Sequence, residues 1–162
     1  MTLTSHAIVG AAVASLVPQH PILGVVVAFA SHFAVDAIPH WDYPIASSSI
    51  NPHMAAKMKY DKAFLLDVVR IGSDALLGLF VSLWFFSAKI SPLVIFIAVF
   101  FAMLPDPLQF AYSRFKHEPL VSLQRFHEWI HTSYRFRNAK VAGIISQIFF
   151  IIVVISLARY LF

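Results

Sequence analysis

The sequence contains no cysteine and few charged residues, and each scarcity excludes a class of protein. Without Cys the chain has no disulfide, no thiolate metal ligand and no Cys nucleophile, so any bound metal needs His, Asp or Glu. Neither a GxxxxGK[ST] phosphate loop nor a GxGxxG dinucleotide turn occurs, which excludes nucleotide-driven transport within this chain. Only 12% of the residues are charged, whereas 59% are hydrophobic and the mean hydropathy is +0.76. This composition argues against a soluble domain and predicts a protein that lies in a bilayer.

The apolar runs predict an all-α fold, a polytopic transmembrane bundle of about five membrane helices that forms a single integral membrane domain over residues 1–162. The predicted membrane helices cover residues 3–17, 22–38, 61–88, 92–112 and 141–162. The first is shorter than a hydrocarbon core of about 30 Å, so it is either tilted or re-entrant. Residues 118–137 have the pattern of a cytoplasmic amphipathic helix at the membrane interface.

The distribution of Lys and Arg predicts the orientation of this bundle. If the first two helices form a hairpin, ten basic residues lie in segments 39–70 and 113–140, and only Lys89 and Arg159 lie on the other side. The positive-inside rule then places the N-terminus and both large loops in the cytoplasm, and we expect a prokaryotic inner (plasma) membrane. Because the basic residues flank apolar spans, the net charge of +4 predicts membrane lipids as partners and no nucleic acid.

Ionisable groups share helix faces with small residues. The stripes with i, i+4 spacing are Gly24–Ala28–His32–Asp36, Ala98–Ala102–Asp106 and Asp74–Gly78–Ser82. Small residues let helices approach closely, so we expect these polar groups to point into the bundle. Carboxylates gathered in this way need a proton or a cation, unless Arg70 pairs with Asp67 or Asp74 in a simple polar clamp. His32 and Asp36, one turn apart, present an imidazole and a carboxylate to a single metal ion.

The segment His127–His131 fits the H-E-x-x-H pattern. Its two His can bind one Zn²⁺ while Glu128 acts as the general base. Residues 132–162 contain no His, Asp or Glu, so a third ligand has to come from another helix, such as Asp36 or Asp106. The alternative is an amphipathic helix whose His residues lie in the headgroup layer.

Four short segments resemble motifs of the YdjM-like membrane-bound metal-dependent hydrolases. These segments are Thr4–Gly10 (TSHAIVG), Ala30–Asp36 (ASHFAVD), Leu104–Asp106 (LPD) and Ile38–Tyr43 (IPHWDY). The resemblance implies a metal site that includes His6, His32, Asp36 and Asp106, with His40 and Asp42 as further candidates.

The sequence therefore predicts a membrane-embedded hydrolase with a divalent ion, expected to be Zn²⁺, at the cytoplasmic face. The candidate metal ligands are His6, His32, Asp36, His40, Asp106, His127 and His131. Asp42 and Asp74 are expected to orient imidazoles, and Glu128 to move protons. The expected substrate is a lipid-like or small molecule, such as a lipid-derived ester or phosphoester.

Two alternatives remain open at this stage. One is a zinc metalloprotease that uses the HEWIH segment, and the other is a non-enzymatic ion or proton carrier. A carrier needs polar groups in both leaflets, and the far leaflet is expected to hold only His20, Gln147 and a few Ser.

Overall fold

The computed structural model is mostly helical, and it describes residues 1–49, 57–58, 61–134, 136 and 139–161. The elements of this part of the chain are α1 (Leu3–Ser15), α2 (Pro21–Asp36), β1 (Ser48–Ser49), β2 (Lys57–Met58), α3 (Lys62–Phe86), α4 (Pro92–Met103), α5 (Pro105–Arg114), α6 (Leu120–Ile130) and α7 (Lys140–Tyr160). The two short strands pair antiparallel between α2 and α3. The all-helical class predicted from the apolar runs is confirmed.

Helix α1 is the centre of the bundle. Of its 13 residues 11 are buried, and it contacts α2, α3, α4 and α7. Small side chains make this close packing possible: a Cβ on Gly10 would collide with the Cβ of Ala102, and one on Gly78 would lie 2.7 Å from the Cβ of Ala7. The small-residue stripes of α3 and α4 are thus contacts with α1.

Helices α1 and α2 form a hairpin whose open end defines one end of the bundle, called here the site end. The amine of Met1, just before α1, lies 2.9 Å from Oδ1 of Asp36, the last residue of α2. Their 13 and 16 residues correspond to about 20 and 24 Å, less than a hydrocarbon core of about 30 Å. At the opposite end, called here the far end, Lys89 Nζ donates to the carbonyl oxygen of Ala158 at 3.1 Å.

The predicted helix over residues 92–112 is broken in the structure. Helix α4 ends at Met103, α5 begins at Pro105, and the two are bent by 41° relative to each other. Pro105 has no amide hydrogen to continue the hydrogen bonding of α4, but it fits the first turn of a new helix. The prediction of one continuous helix is wrong at this point, and α5 turns away to pack against α6.

Membrane-span candidates are fewer than predicted within the described residues. Helix α7 is long and apolar enough to cross a membrane, and the bent pair α4–α5 adds a second candidate if it is taken as one span. Helices α1 and α2 are apolar but shorter. The predicted interfacial helix over residues 118–137 is present as the shorter α6, Leu120–Ile130.

Candidate metal centre

A buried carboxylate, Asp36, lies at the centre of a cluster of imidazoles. It ends α2 and is 1% exposed. His127 Nε2 lies 2.9 Å from its Oδ2 and His32 Nε2 lies 3.2 Å from the same oxygen. His6 Nε2 lies 3.2 Å from Oδ1, and the His6 ring stacks on that of His32 with 3.9 Å between centroids. The helical spacing of His32 and Asp36 therefore brings both onto one face, as expected from the sequence.

Two further imidazoles reach Asp36 from segments outside the helices. His40 Nε2 lies 3.7 Å from Oδ1, and His131 Nε2 lies 3.8 Å from Oδ2. Backbone hydrogen bonds fix these segments to each other: the amide of Thr132 donates to the carbonyl of Asp36 at 2.9 Å, and that of Phe136 donates to the carbonyl of His40 at 3.1 Å. The chain after α6 is thereby held against the chain after α2.

Three of the imidazoles have their Nδ1 against a backbone carbonyl. The pairs are His32 with Ala102 at 2.8 Å, His40 with Ile38 at 2.7 Å and His131 with Thr132 at 3.0 Å. A carbonyl oxygen only accepts, so each of these Nδ1 atoms donates, and each Nε2 is left facing the cluster. Metal-ligating His residues commonly have this arrangement.

Several of the inward nitrogens lack a hydrogen-bond partner among the described residues. These are Nε2 of His32, Nε2 of His40 and both ring nitrogens of His6, and all three side chains are fully buried. A buried polar atom without a partner is costly. A metal ion held between these nitrogens and the carboxylate removes that cost.

Among the described residues, the donor atoms form two groups that could hold a metal ion. The first group is His32, Asp36, Asp106 and His127, and the second is Asp36, His40 and His131. Within each group the donor atoms lie within 4.8 Å of one another. Zinc bonds of about 2.0–2.1 Å in a tetrahedron place neighbouring ligands roughly 3.3 Å apart, so the cluster is suited to metal binding with small adjustments.

Two carboxylates lie on the more exposed side of the cluster. Asp106, in the first turn of α5, is 32% exposed, with Oδ1 at 3.7 Å from His32 Nε2. Asp42 is 30% exposed, with Oδ1 at 3.0 Å from His40 Nε2 and 2.9 Å from the Met1 amine. Burial by itself raises the pKa of the Asp42 carboxyl, but His40 and the Met1 ammonium outweigh burial and hold that pKa well below its usual range. Asp42 is therefore an ionised group at the opening of the site.

Asp74 and Glu128 occupy different positions from those expected for catalytic groups. Asp74 Oδ2 accepts from the amide of Leu3 at 2.6 Å, and its Oδ1 accepts from Thr4 Oγ1 at 2.7 Å, so Asp74 caps α1. Glu128 is exposed on α6, where its Oε1 accepts from Gln124 Nε2 at 3.0 Å. The described contacts give neither carboxylate an imidazole partner. Glu128 lies away from the cluster because of helical geometry: His127 faces Asp36, and the next residue along the helix points in another direction.

The polar clamp considered from the sequence exists, but it lies apart from the cluster. Arg70 Nη1 is 3.5 Å from Asp67 Oδ1, and Asp67 Oδ2 accepts from the amide of Ser47 at 2.7 Å. This clamp fixes the chain before β1 to α3. It pairs Arg70 with Asp67 and leaves the carboxylates around Asp36 to other partners.

Two residues near the site were not identified from the sequence as site residues. Gln147 was expected at the far end, but its Nε2 donates to the carbonyl of Trp41 at 2.8 Å and its Oε1 accepts from Ser5 Oγ at 3.3 Å. Tyr43 lies in the segment after Asp42, and burial and then nearby carboxylates raise the pKa of its phenol, so it stays protonated. The signal available for Gln147 was a glutamine in the mostly apolar α7, and no motif marks Tyr43.

Comparison with protein-family models, with curated proteins and with solved structures found no match to this chain. The functional argument therefore depends on the chemistry of the cluster itself.

Proposed function

We propose that this chain is a membrane-embedded metal-dependent hydrolase of the YdjM-like type that acts at the cytoplasmic face on a lipid-derived ester or phosphoester. The observation that carries the proposal is the convergence of five imidazoles on the single buried carboxylate of Asp36. Buried His and Asp side chains gathered in this number, with the Met1 ammonium as the one protein cation seen against Asp36 among the described residues, are the donor set of a divalent ion. Zn²⁺ suits this mixture of nitrogen and oxygen ligands.

The outer surface of the bundle supports a membrane location. Large apolar side chains are exposed along α3, α4 and α7, including Trp84 at 73%, Leu93 at 67% and Phe149 at 67%. Soluble proteins rarely expose contiguous apolar patches of more than a few hundred Å². The polar groups are concentrated in the interior at the site end instead, which is the distribution expected of a protein in lipid.

The long helices suggest how the chain crosses the bilayer. Helices α3 and α7 and the bent pair α4–α5 are taken as the crossing segments, and the α1–α2 hairpin inserts between them from the site end. Among the described residues Lys62, Arg114, Lys116, Arg125 and Lys140 belong to the site end, and Lys89 and Arg159 belong to the far end. By the positive-inside rule, this distribution supports a metal centre at the cytoplasmic face.

The chemistry proposed for the site divides between the ion and the protein. A bound divalent ion lowers the pKa of a coordinated water molecule and stabilises negative charge on the attacked group. His32, Asp36, Asp106 and His127 would hold the ion in the first donor group. The carbonyl of Ala102 at Nδ1 of His32 fixes that ring. Asp42, an ionised carboxylate on the more exposed side of the cluster, would take the proton from the attacking water and pass it to the departing alcohol oxygen.

The alternatives have less support. A metalloprotease needs Glu128 beside the ion, whereas Glu128 is exposed and bonded to Gln124. A carrier needs polar groups along the whole path, whereas Gln147 belongs to the site end with the other buried polar groups.

The test is metal content together with hydrolysis. We expect detergent-purified protein to retain divalent metal that EDTA removes, and His32→Ala or Asp36→Ala to reduce the retained metal. His20→Ala, an exposed imidazole in the turn before α2, is the matched control and should change nothing. Wild-type protein that is folded but free of metal after incubation with Zn²⁺, or that binds metal without hydrolysing any ester, phosphoester or peptide of a test panel, would contradict the proposal.

A further inference from the structure

We infer that the cluster binds two divalent ions bridged by Asp36, and that the group hydrolysed is a phosphoester. The ion count stands on the geometry of the donor atoms alone. The choice of phosphoester rests on the proposed hydrolase function.

The number of donors is the first reason. One catalytic zinc uses three or four protein ligands. The structure supplies two donor groups, and Asp36 is the member that they share. The donors additional to Asp36 are His32, Asp106 and His127 in the first group and His40 and His131 in the second.

The two oxygens of Asp36 face different donors. Oδ2 is 2.9 Å from His127 Nε2 and 3.2 Å from His32 Nε2. Oδ1 is 3.2 Å from His6 Nε2 and 3.7 Å from His40 Nε2. A carboxylate with donors on both oxygens is the usual bridge in two-metal sites, where the ions lie about 3.5–4 Å apart.

The Oδ1 side already accepts positive charge. The Met1 ammonium lies 2.9 Å from Oδ1 of Asp36 and 2.9 Å from Oδ1 of Asp42. His40 Nε2 is 3.0 Å from the same Asp42 oxygen. His40 and two carboxylates therefore surround one position on this side, separate from the His127 side. The Met1 ammonium holds that position in this structure, and a second ion would take its place.

His131 lies between the two positions. Its Nε2 is 3.8 Å from Asp36 Oδ2, and its ring centroid is 4.9 Å from that of His40 and 5.7 Å from that of His127. A variant designed to remove one ion and keep the other should therefore change His40 or Asp106 rather than His131.

Two neighbouring cations favour a phosphoester as the substrate. Two-metal centres of phosphatases and nucleases stabilise both the attacking and the leaving oxygen of an in-line displacement. A phosphoester is an anion that two cations neutralise, whereas a peptide or carboxylic ester is neutral and gains less from the second ion. During hydrolysis the water oxygen bonds to phosphorus, the bond from phosphorus to the alcohol oxygen breaks, and the proton lost by water ends on that alcohol.

The ion count can be measured without any substrate. Purified protein is stripped with EDTA, loaded with Mn²⁺, and studied by elemental analysis and electron paramagnetic resonance. We expect about two Mn²⁺ per chain with an exchange-coupled spectrum, as in other carboxylate-bridged pairs. His40→Ala and, separately, Asp106→Asn should each retain about one ion with an uncoupled spectrum, because each change removes a donor from one group. The exposed His117→Ala is the control and should keep both ions.

Asp106→Asn is the variant expected to keep its fold, because Asp106 is partly exposed and asparagine has the same size as aspartate. It therefore tests the ion count even if His40→Ala does not fold. One uncoupled ion in folded wild-type protein would overturn the two-ion inference and leave the proposed hydrolase intact, whereas no bound ion would overturn both. The substrate class is tested with vesicles that contain phosphatidic acid in phosphatidylcholine, with soluble nitrophenyl phosphate and with nitrophenyl acetate. Cleavage of either phosphoester supports the inference and separates a lipid from a soluble source. Cleavage of the acetate alone would overturn it.

Discussion

Replacement of Asp74 distinguishes a helix cap from a group of the metal centre. Its Oδ2 accepts from the amides of Leu3 at 2.6 Å and Thr4 at 3.3 Å, and its Oδ1 accepts from Thr4 Oγ1 at 2.7 Å. Helix α1 has no side-chain cap from Thr2, so a carboxylate on α3 satisfies its first amides. The negative charge also interacts favourably with the positive end of the α1 dipole.

The loss of stability expected for each Asp74 variant depends on which hydrogen bonds and charge it keeps. Asp74→Ala removes every one of these bonds, and the loss of a cap together with the dipole interaction costs about 2 kcal/mol. For a chain of this size that corresponds to a fall in Tm of about 4–8 °C. Asp74→Asn keeps one carbonyl acceptor for the backbone amides but loses the charge and one acceptor. We expect Asn to cost about half as much as Ala.

The assay is thermal unfolding in detergent with Zn²⁺ in excess, together with metal content. Asp61→Ala is a matched control, because Asp61 caps α3 through the amide of Ala63 at 2.8 Å and lies outside the cluster. We expect both Asp74 variants to melt earlier and to retain metal. Metal or activity lost in Asp74→Asn without a change in Tm would refute the cap and restore Asp74 as a partner of an imidazole.

Three further predictions concern packing, catalysis and orientation. Gly10→Ala should destabilise the protein by about 1–3 kcal/mol in thermal unfolding because its new Cβ meets α4, whereas Gly72→Ala, with nothing within 4 Å, should be neutral or stabilising. Glu128→Gln should change neither metal content nor turnover, and peptide cleavage lost in this variant alone would favour the protease. Because the chain has no Cys, a single Ser122→Cys should react with an impermeant maleimide from the cytoplasmic side and Ser87→Cys from the opposite side, and reaction of both from one side would contradict the proposed topology.

The parts of the site that lie on helices could be predicted because helical spacing determines which residues share a face. His32 and Asp36 at i, i+4 meet in the structure, and the small residues at Gly10 and Gly78 mark where helices approach. The all-helical class follows from the apolar runs in the same way. A local pattern of this kind predicts the direction of a side chain relative to its own helix.

Contacts between distant segments could not be predicted, because they depend on packing that no local pattern contains. Asp74 has the right spacing to point inward, but only the docking of α1 on α3 shows that it meets backbone amides. Gln147 was expected at the far end, and it instead ties α7 to the carbonyl of Trp41 beside His40. The bend at Leu104 was also missed, because residues 92–112 were predicted to form one span.

That bend links the fold to the metal centre. Pro105 starts a new helix, which places Asp106 in its first turn beside His32 and directs α5 toward α6, the helix that carries His127. One continuous helix from Pro92 would have extended along the axis of α4 and away from α6. Two donors of the first group, Asp106 and His127, therefore reach Asp36 through the same break in the backbone. The donors come from the α1–α2 hairpin, α5, α6 and the segments that follow α2 and α6, so the complete cluster requires the whole bundle to be assembled.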